Sequence, residues 1–216
     1  MIGDRSKQNG FTILELMIAT TVFSVVLLVA GSGIIAIGRM YYKSITSSRV
    51  QEVARSAMDD VTRSLQFSSG IVAKELSGSI KVRCFGEDRY TYVINEPLTG
   101  SAYGLKQDKT PAEGCSLGTP AAGTTVPPNA KQLLGSGMRL MQFYVSDGVD
   151  GVFKVNIKVA YGDNDLLSIY DEDGNEDGWV PPAPEATAAS ALCRGGPGNS
   201  FCSVSGLETL ISSRID

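Results

Sequence analysis

Residues Leu16 to Gly38 run for 23 positions without a charged side chain, and no other feature limits the chain so strongly. As an α-helix the run is about 35 Å long, enough to cross a hydrocarbon core about 30 Å thick. It therefore reads as a membrane-spanning segment. It exceeds the apolar core of an ordinary secretory signal, and no A-x-A-like site follows it, which argues against a cleaved signal peptide. Arg5 and Lys7 precede the run while Arg39 and Lys43 follow it, so flanking charge alone leaves the orientation open.

Glu15 stands at the edge of this run, in the stretch NGFTILELMIAT of residues 9–20. A carboxylate in lipid is costly unless it is neutralised or partnered, so it calls for a functional explanation. No Lys or Arg lies between Leu16 and Gly38 to pair with it. A cut between Gly10 and Phe11, however, would create an α-amine at Phe11, and Glu15 of a neighbouring copy would then have a cation.

Beyond Gly38 the helical pattern continues but becomes amphipathic. Val50, Ala54, Ala57, Val61 and Leu65 recur at helical spacing, with Arg55, Asp59, Asp60 and Arg63 off that stripe. Tyr41 and Tyr42 fall where aromatic side chains favour the membrane–water boundary. The first proline of the chain is Pro97, so the spacing predicts one helix from about Phe11 to about Phe67.

After Ser69 the pattern is that of strands: IVAKEL, SIKVRCF, RYTYVI, then MRLMQFYV and VFKVNIKVAY joined as a hairpin by SDGVDG. In the last of these, Phe153, Val155, Ile157 and Val159 face one way, and Lys154, Asn156 and Lys158 the other. Residues 96–137 and 181–200, rich in Gly, Pro, Thr and Ala, read as long loops. The expected fold is α+β: a long N-terminal helix packed on a mainly antiparallel β-sheet head.

Residues 1–69 carry 7 basic and 5 acidic side chains, residues 70–216 carry 12 and 18. The acidic head disfavours direct nucleic-acid binding, which wants a basic surface. The chain has no histidine, which removes Ser-His-Asp and Cys-His nucleophiles and His-ligated zinc. Cys84, Cys115, Cys193 and Cys202 all follow the apolar run, with no C-x-x-C spacing. They read as two disulfides in an oxidising compartment, with Cys84–Cys115 and Cys193–Cys202 favoured among three pairings because each closes a local loop. That compartment places the head outside the cytoplasm and the N-terminus inside.

The short charged leader followed by GFTILEL resembles the prepilin motif of type IV pilins and type II secretion pseudopilins. By this resemblance residues 1–10 are a leader peptide, residues 11–38 a transmembrane and filament-core helix, 39–69 its amphipathic continuation and 70–216 the head. Gly10 marks the cleavage site for a prepilin peptidase, Phe11 the methylated N-terminus, and Glu15 the charge that sets register against the preceding subunit. The implied partners are other pilin or pseudopilin subunits, the peptidase, an inner-membrane assembly platform and, before assembly, membrane lipid. Major pilins commonly carry a proline midway along the apolar stretch, where this chain has Gly31, Ser32 and Gly33. That departure, with the long loops, favours a minor subunit, and retention of Glu15 favours a place beneath the tip.

Within YDEDGNEDGW, the alternation of Asp171, Asp173, Asn175 and Asp177 sets four oxygen ligands in a pattern suited to Ca2+, although Glu176 and Pro182 break the EF-hand pattern. The same residue types also build ordinary turns. A membrane-anchored, calcium-dependent adhesive or ligand-binding head is thus the alternative function. An anchored enzyme is disfavoured, since no G-x-S-x-G elbow or phosphate-binding glycine loop accompanies the missing histidine.

Overall fold

A computed structural model describes residues 11–68, 71–75, 80–95, 104–109, 130–147, 151–163, 165–170, 190–194, 196 and 198–214. The fold is α+β, with one long N-terminal helix and antiparallel sheets. Helix α1 runs from Ile13 to Gln66, close to the span expected from the periodicity. The chain divides into two compact units, Met1–Tyr41 and Tyr42–Asp216.

The first unit carries the apolar half of α1. Its large side chains are exposed on every face, with Leu28 at 74 % and Ile34 at 71 %. A helix apolar all round is matched to lipid or to other helices rather than to water. Gly31 and Gly33 do not interrupt it, and a Cβ built on either would meet nothing within 4 Å. They leave a small-residue surface of the kind that lets helices approach closely in a membrane.

The second unit begins where the amphipathic stripe takes over. Val50, Ala54, Ala57, Val61 and Leu65 are all fully buried. Each large member contributes about 1.5–3 kcal/mol by leaving water. The stripe packs with residues from two sheets in one core.

The first sheet is an antiparallel meander of β1 (Ile71–Glu75), β2 (Ile80–Phe85), β3 (Asp88–Val93), β4 (Leu105–Lys109) and β5 (Lys131–Gln132). The second has the order β10–β7–β6, from β6 (Met138–Asp147), β7 (Val152–Tyr161) and β10 (Ser203–Ser212). The expected hairpin is β6–β7, and Phe153, Val155, Ile157 and Val159 are its buried set. Phe85, Tyr90, Tyr92 and Phe143 form an aromatic cluster between the sheets, with Tyr92 and Phe143 edge to face at 5.0 Å. Backbone contact links the sheets as well, since the Asn95 N–H donates to the Leu140 carbonyl at 2.8 Å.

Two expectations are corrected. Residues 96–137 are not one loop, because β4 and β5 lie within them, and residues 181–200 include β9 (Ser190–Cys193). β4 pairs along β3 from Asp88↔Lys109 to Tyr92↔Leu105. Its polar sequence, LKQDK, is held as a strand by the edge it completes rather than by its own composition.

A register shift between Leu140 and Gln142 marks a β-bulge in β6. Met138 and Leu140 precede it on the main core, Phe143 and Val145 follow it there, and Met141 joins a separate buried cluster with Ala160, Leu167 and Cys202. The extra residue resets the alternation so that both faces of the sheet receive apolar side chains. β8 (Leu167–Tyr170) and β9 form a two-stranded ribbon, joined to the chain before β10 by the Cys193–Cys202 disulfide.

Candidate functional site

The first turn of α1 has its own cap. Thr12 precedes the helix, and its hydroxyl oxygen accepts the Glu15 backbone N–H at 3.2 Å. The Thr12 carbonyl accepts the Leu16 N–H, also at 3.2 Å. Thr12 and Glu15 therefore occupy the N-cap and N3 positions, the spacing of a capping box. Thr12 escaped the sequence reading, although T-x-x-E ahead of an apolar run is its signature. Glu15 also lies in the first helical turn, where the positive end of the helix dipole favours a carboxylate.

These contacts fix the backbone of Glu15 and leave its side chain exposed. Among the described residues, no cation pairs with its carboxylate. Phe11, four positions earlier, is 83 % exposed. Gly10 lies outside the described residues. The turn thus presents one acidic group and one large apolar residue at the head of an apolar helix.

The remaining polar groups of the run are satisfied locally. Thr20 Oγ1 donates to the Met17 carbonyl at 3.0 Å, Thr21 Oγ1 to Ile18 at 2.8 Å, Ser24 Oγ to Thr20 at 2.8 Å and Ser32 Oγ to Val29 at 2.9 Å. Hydroxyls that return their proton to the helix backbone carry little penalty in an apolar surrounding. Glu15 has no such internal partner among the described residues.

Inside the second unit, a polar network fastens α1 to the first sheet. Ser64 Oγ lies 2.6 Å from Asp88 Oδ2 and 2.7 Å from the Tyr90 hydroxyl. Lys109 pairs with Asp88 at 2.9 Å and Lys131 with Asp60 at 2.7 Å. Burial pushes the Tyr90 phenol well above its ordinary range, against the Ser64 hydrogen bond and with the Asp88 and Asp60 charges. Arg83, also buried, donates from Nε to the Tyr92 hydroxyl at 3.0 Å and from a terminal nitrogen to the Val145 carbonyl at 2.9 Å. It ties the two sheets together. Both arrangements spend their donors and acceptors on internal partners, as structural networks do.

Cys193 and Cys202 are joined as expected, across a sequence separation of 9. Cys84 is disulfide-bonded too; its expected partner, Cys115, lies outside the described residues. So do Asp171, Asp173, Asn175 and Asp177, the set suited to Ca2+. Among the described residues no group of three acidic or cysteine side chains is placed to hold a metal ion.

Residues 5–31 match the family described as the prokaryotic N-terminal methylation motif. No curated protein and no solved structure matches the chain. The matched span covers the Gly10–Phe11 junction, the Thr12 cap, Glu15 and the apolar run as far as Gly31. It marks a type IV pilin-like prepilin signal.

Proposed function

We propose that this chain is a pilin-like structural subunit rather than an enzyme. A prepilin peptidase cuts between Gly10 and Phe11 and methylates the new amine at Phe11. Before assembly, α1 anchors the protein in the membrane with its N-terminus toward the cytoplasm and its disulfide-bearing head outside. The subunit then enters or primes a type IV pilus or a type II secretion pseudopilus, as a minor component beneath the tip.

The observation that carries this reading is Glu15 itself. It stands in a capped, exposed first turn, within the matched motif, at the head of a helix apolar on every face. In a filament, the amine of Phe11 on one subunit would meet Glu15 of another, and the apolar helices would exchange lipid for one another. Such a head-to-tail contact does not close on itself and therefore propagates. Other pilin subunits and an inner-membrane assembly platform are the partners this requires.

The test is the content of sheared filaments from cells making the wild-type chain or Glu15→Val. The expectation is that both are processed while the variant is missing from the filament fraction. Equal recovery of the two would remove the role assigned to Glu15.

A further inference from the structure

The Cys193–Cys202 bridge carries two exposed apolar side chains. Leu192 immediately precedes one half-cystine and Phe201 the other, and they are 56 % and 53 % exposed. The Phe201 ring lies 5.9 Å from the ring of Tyr42, itself 57 % exposed. Tyr42 is four residues beyond Gly38 on α1. Tyr42 and Phe201 thus form an exposed ring pair, and Leu192 lies one residue from the same bridge.

We infer that this bridged corner is a lipid-docking surface that rests in the headgroup layer while the subunit waits in the membrane. The inference depends on α1 acting as a membrane anchor and adds a second, peripheral contact to it. Four helical residues rise about 6 Å. The polar layer on each side of a bilayer is about 5–7 Å deep, from the difference between the total thickness and the hydrocarbon core. Tyr42 therefore falls within that layer, and Phe201, held against it, lies at the same depth.

The chemistry of the corner fits this occupant. Aromatic rings concentrate at the membrane–water boundary. Lys43 follows Tyr42 and Arg194 follows Cys193, and both are exposed, so cations flank the apolar groups although the head is acidic as a whole. That pairing of apolar tips with flanking cations suits a surface containing anionic phospholipid. The disulfide matters because it fixes two otherwise separate chain positions beside each other, with Leu192 and Phe201 each one residue from the bridge.

The experiment places the full chain in vesicles of phosphatidylethanolamine and phosphatidylglycerol, with or without acyl chains brominated near the headgroup. Phe201→Trp is compared with the parent chain, whose native Trp179 sets the background, and Leu192→Trp serves as a second reporter on the same bridge. The expected result is a blue-shifted added emission that is lost in brominated vesicles. Added emission unaffected by bromine, from protein that resists alkaline extraction, would overturn the docking surface while leaving the anchor intact. Shielding that depends on protein concentration and not on bromine would assign the corner to a second copy and equally overturn it. Protein washed from the vesicles by alkali would contradict the anchor itself, and the docking surface with it.

Discussion

The Glu15 backbone N–H donates to the Thr12 hydroxyl oxygen at 3.2 Å. A residue whose side chain is exposed is thereby held, at its backbone, by the N-cap threonine. Removing an N-cap hydroxyl costs about 1 kcal/mol. Thr12→Ala should therefore speed hydrogen exchange of the Glu15 amide by about fivefold, since 1.4 kcal/mol corresponds to tenfold. Thr12→Ser should leave it near the parent value. Unchanged exchange in Thr12→Ala would mean that the cap is not what orders this turn.

Gly10→Ala should retain membrane insertion but lose leader removal, because insertion depends on the apolar run and cleavage on the junction. Mass spectrometry of the membrane fraction reads both. A normally processed Gly10→Ala chain would contradict the assignment of the cut site.

Tyr90 makes stability sensitive to alkali. Its ordinary pKa is 10.0, and burial, then the Asp88 and Asp60 charges, raise it in the folded chain. The unfolded chain ionises near pH 10 while the folded chain holds the proton, so the contribution is full below pH 10 and is lost as the pH rises above it. Lys109, raised by its hydrogen bond to Asp88, acts in the same direction, whereas burial lowers Lys158 and acts in the opposite one. Comparison with Tyr90→Phe isolates the tyrosine. In detergent, the full-length variant should lose less melting temperature between neutral pH and pH above 10 than the parent does. Equal losses would show that the phenol does not titrate with unfolding.

The Cys193–Cys202 bridge closes a short loop, for which chain entropy gives about 2–3 kcal/mol of stabilisation. The double substitution Cys193→Ser/Cys202→Ser should lower stability by about that amount. It should leave the circular dichroism of α1 unchanged, because the bridge joins β9 to the chain before β10. A loss of helix signal would mean that the bridge supports more than its own corner.

The helix and the first strands were legible because their periodicity is clean: Val50 to Leu65 makes one stripe, and Phe153 to Val159 alternates without a fault. β4 was not, since Leu105 is its one apolar residue and its pairing with β3 does the rest. β10 went unnoticed for a related reason. Gly206 and three serines dilute its alternation, and it is recruited by ten consecutive pairings with β7. The bulge at Met141 was hidden because adjacent apolar residues, Leu140 and Met141, look alike whichever face each takes. At the candidate site, Gly10, Phe11 and Glu15 were singled out by their resemblance to the prepilin motif, whereas Thr12 had a local signature that went unread. Phe201 had none, because only the folded chain brings it to Tyr42.

The most direct test is the N-terminal sequence and intact mass of the protein from membranes of cells with and without the prepilin peptidase. With the peptidase, the chain should lack residues 1–10 and begin at a methylated Phe11; without it, the leader should remain. A chain that keeps its leader in both strains would contradict the pilin-like reading and leave Glu15 without its partner.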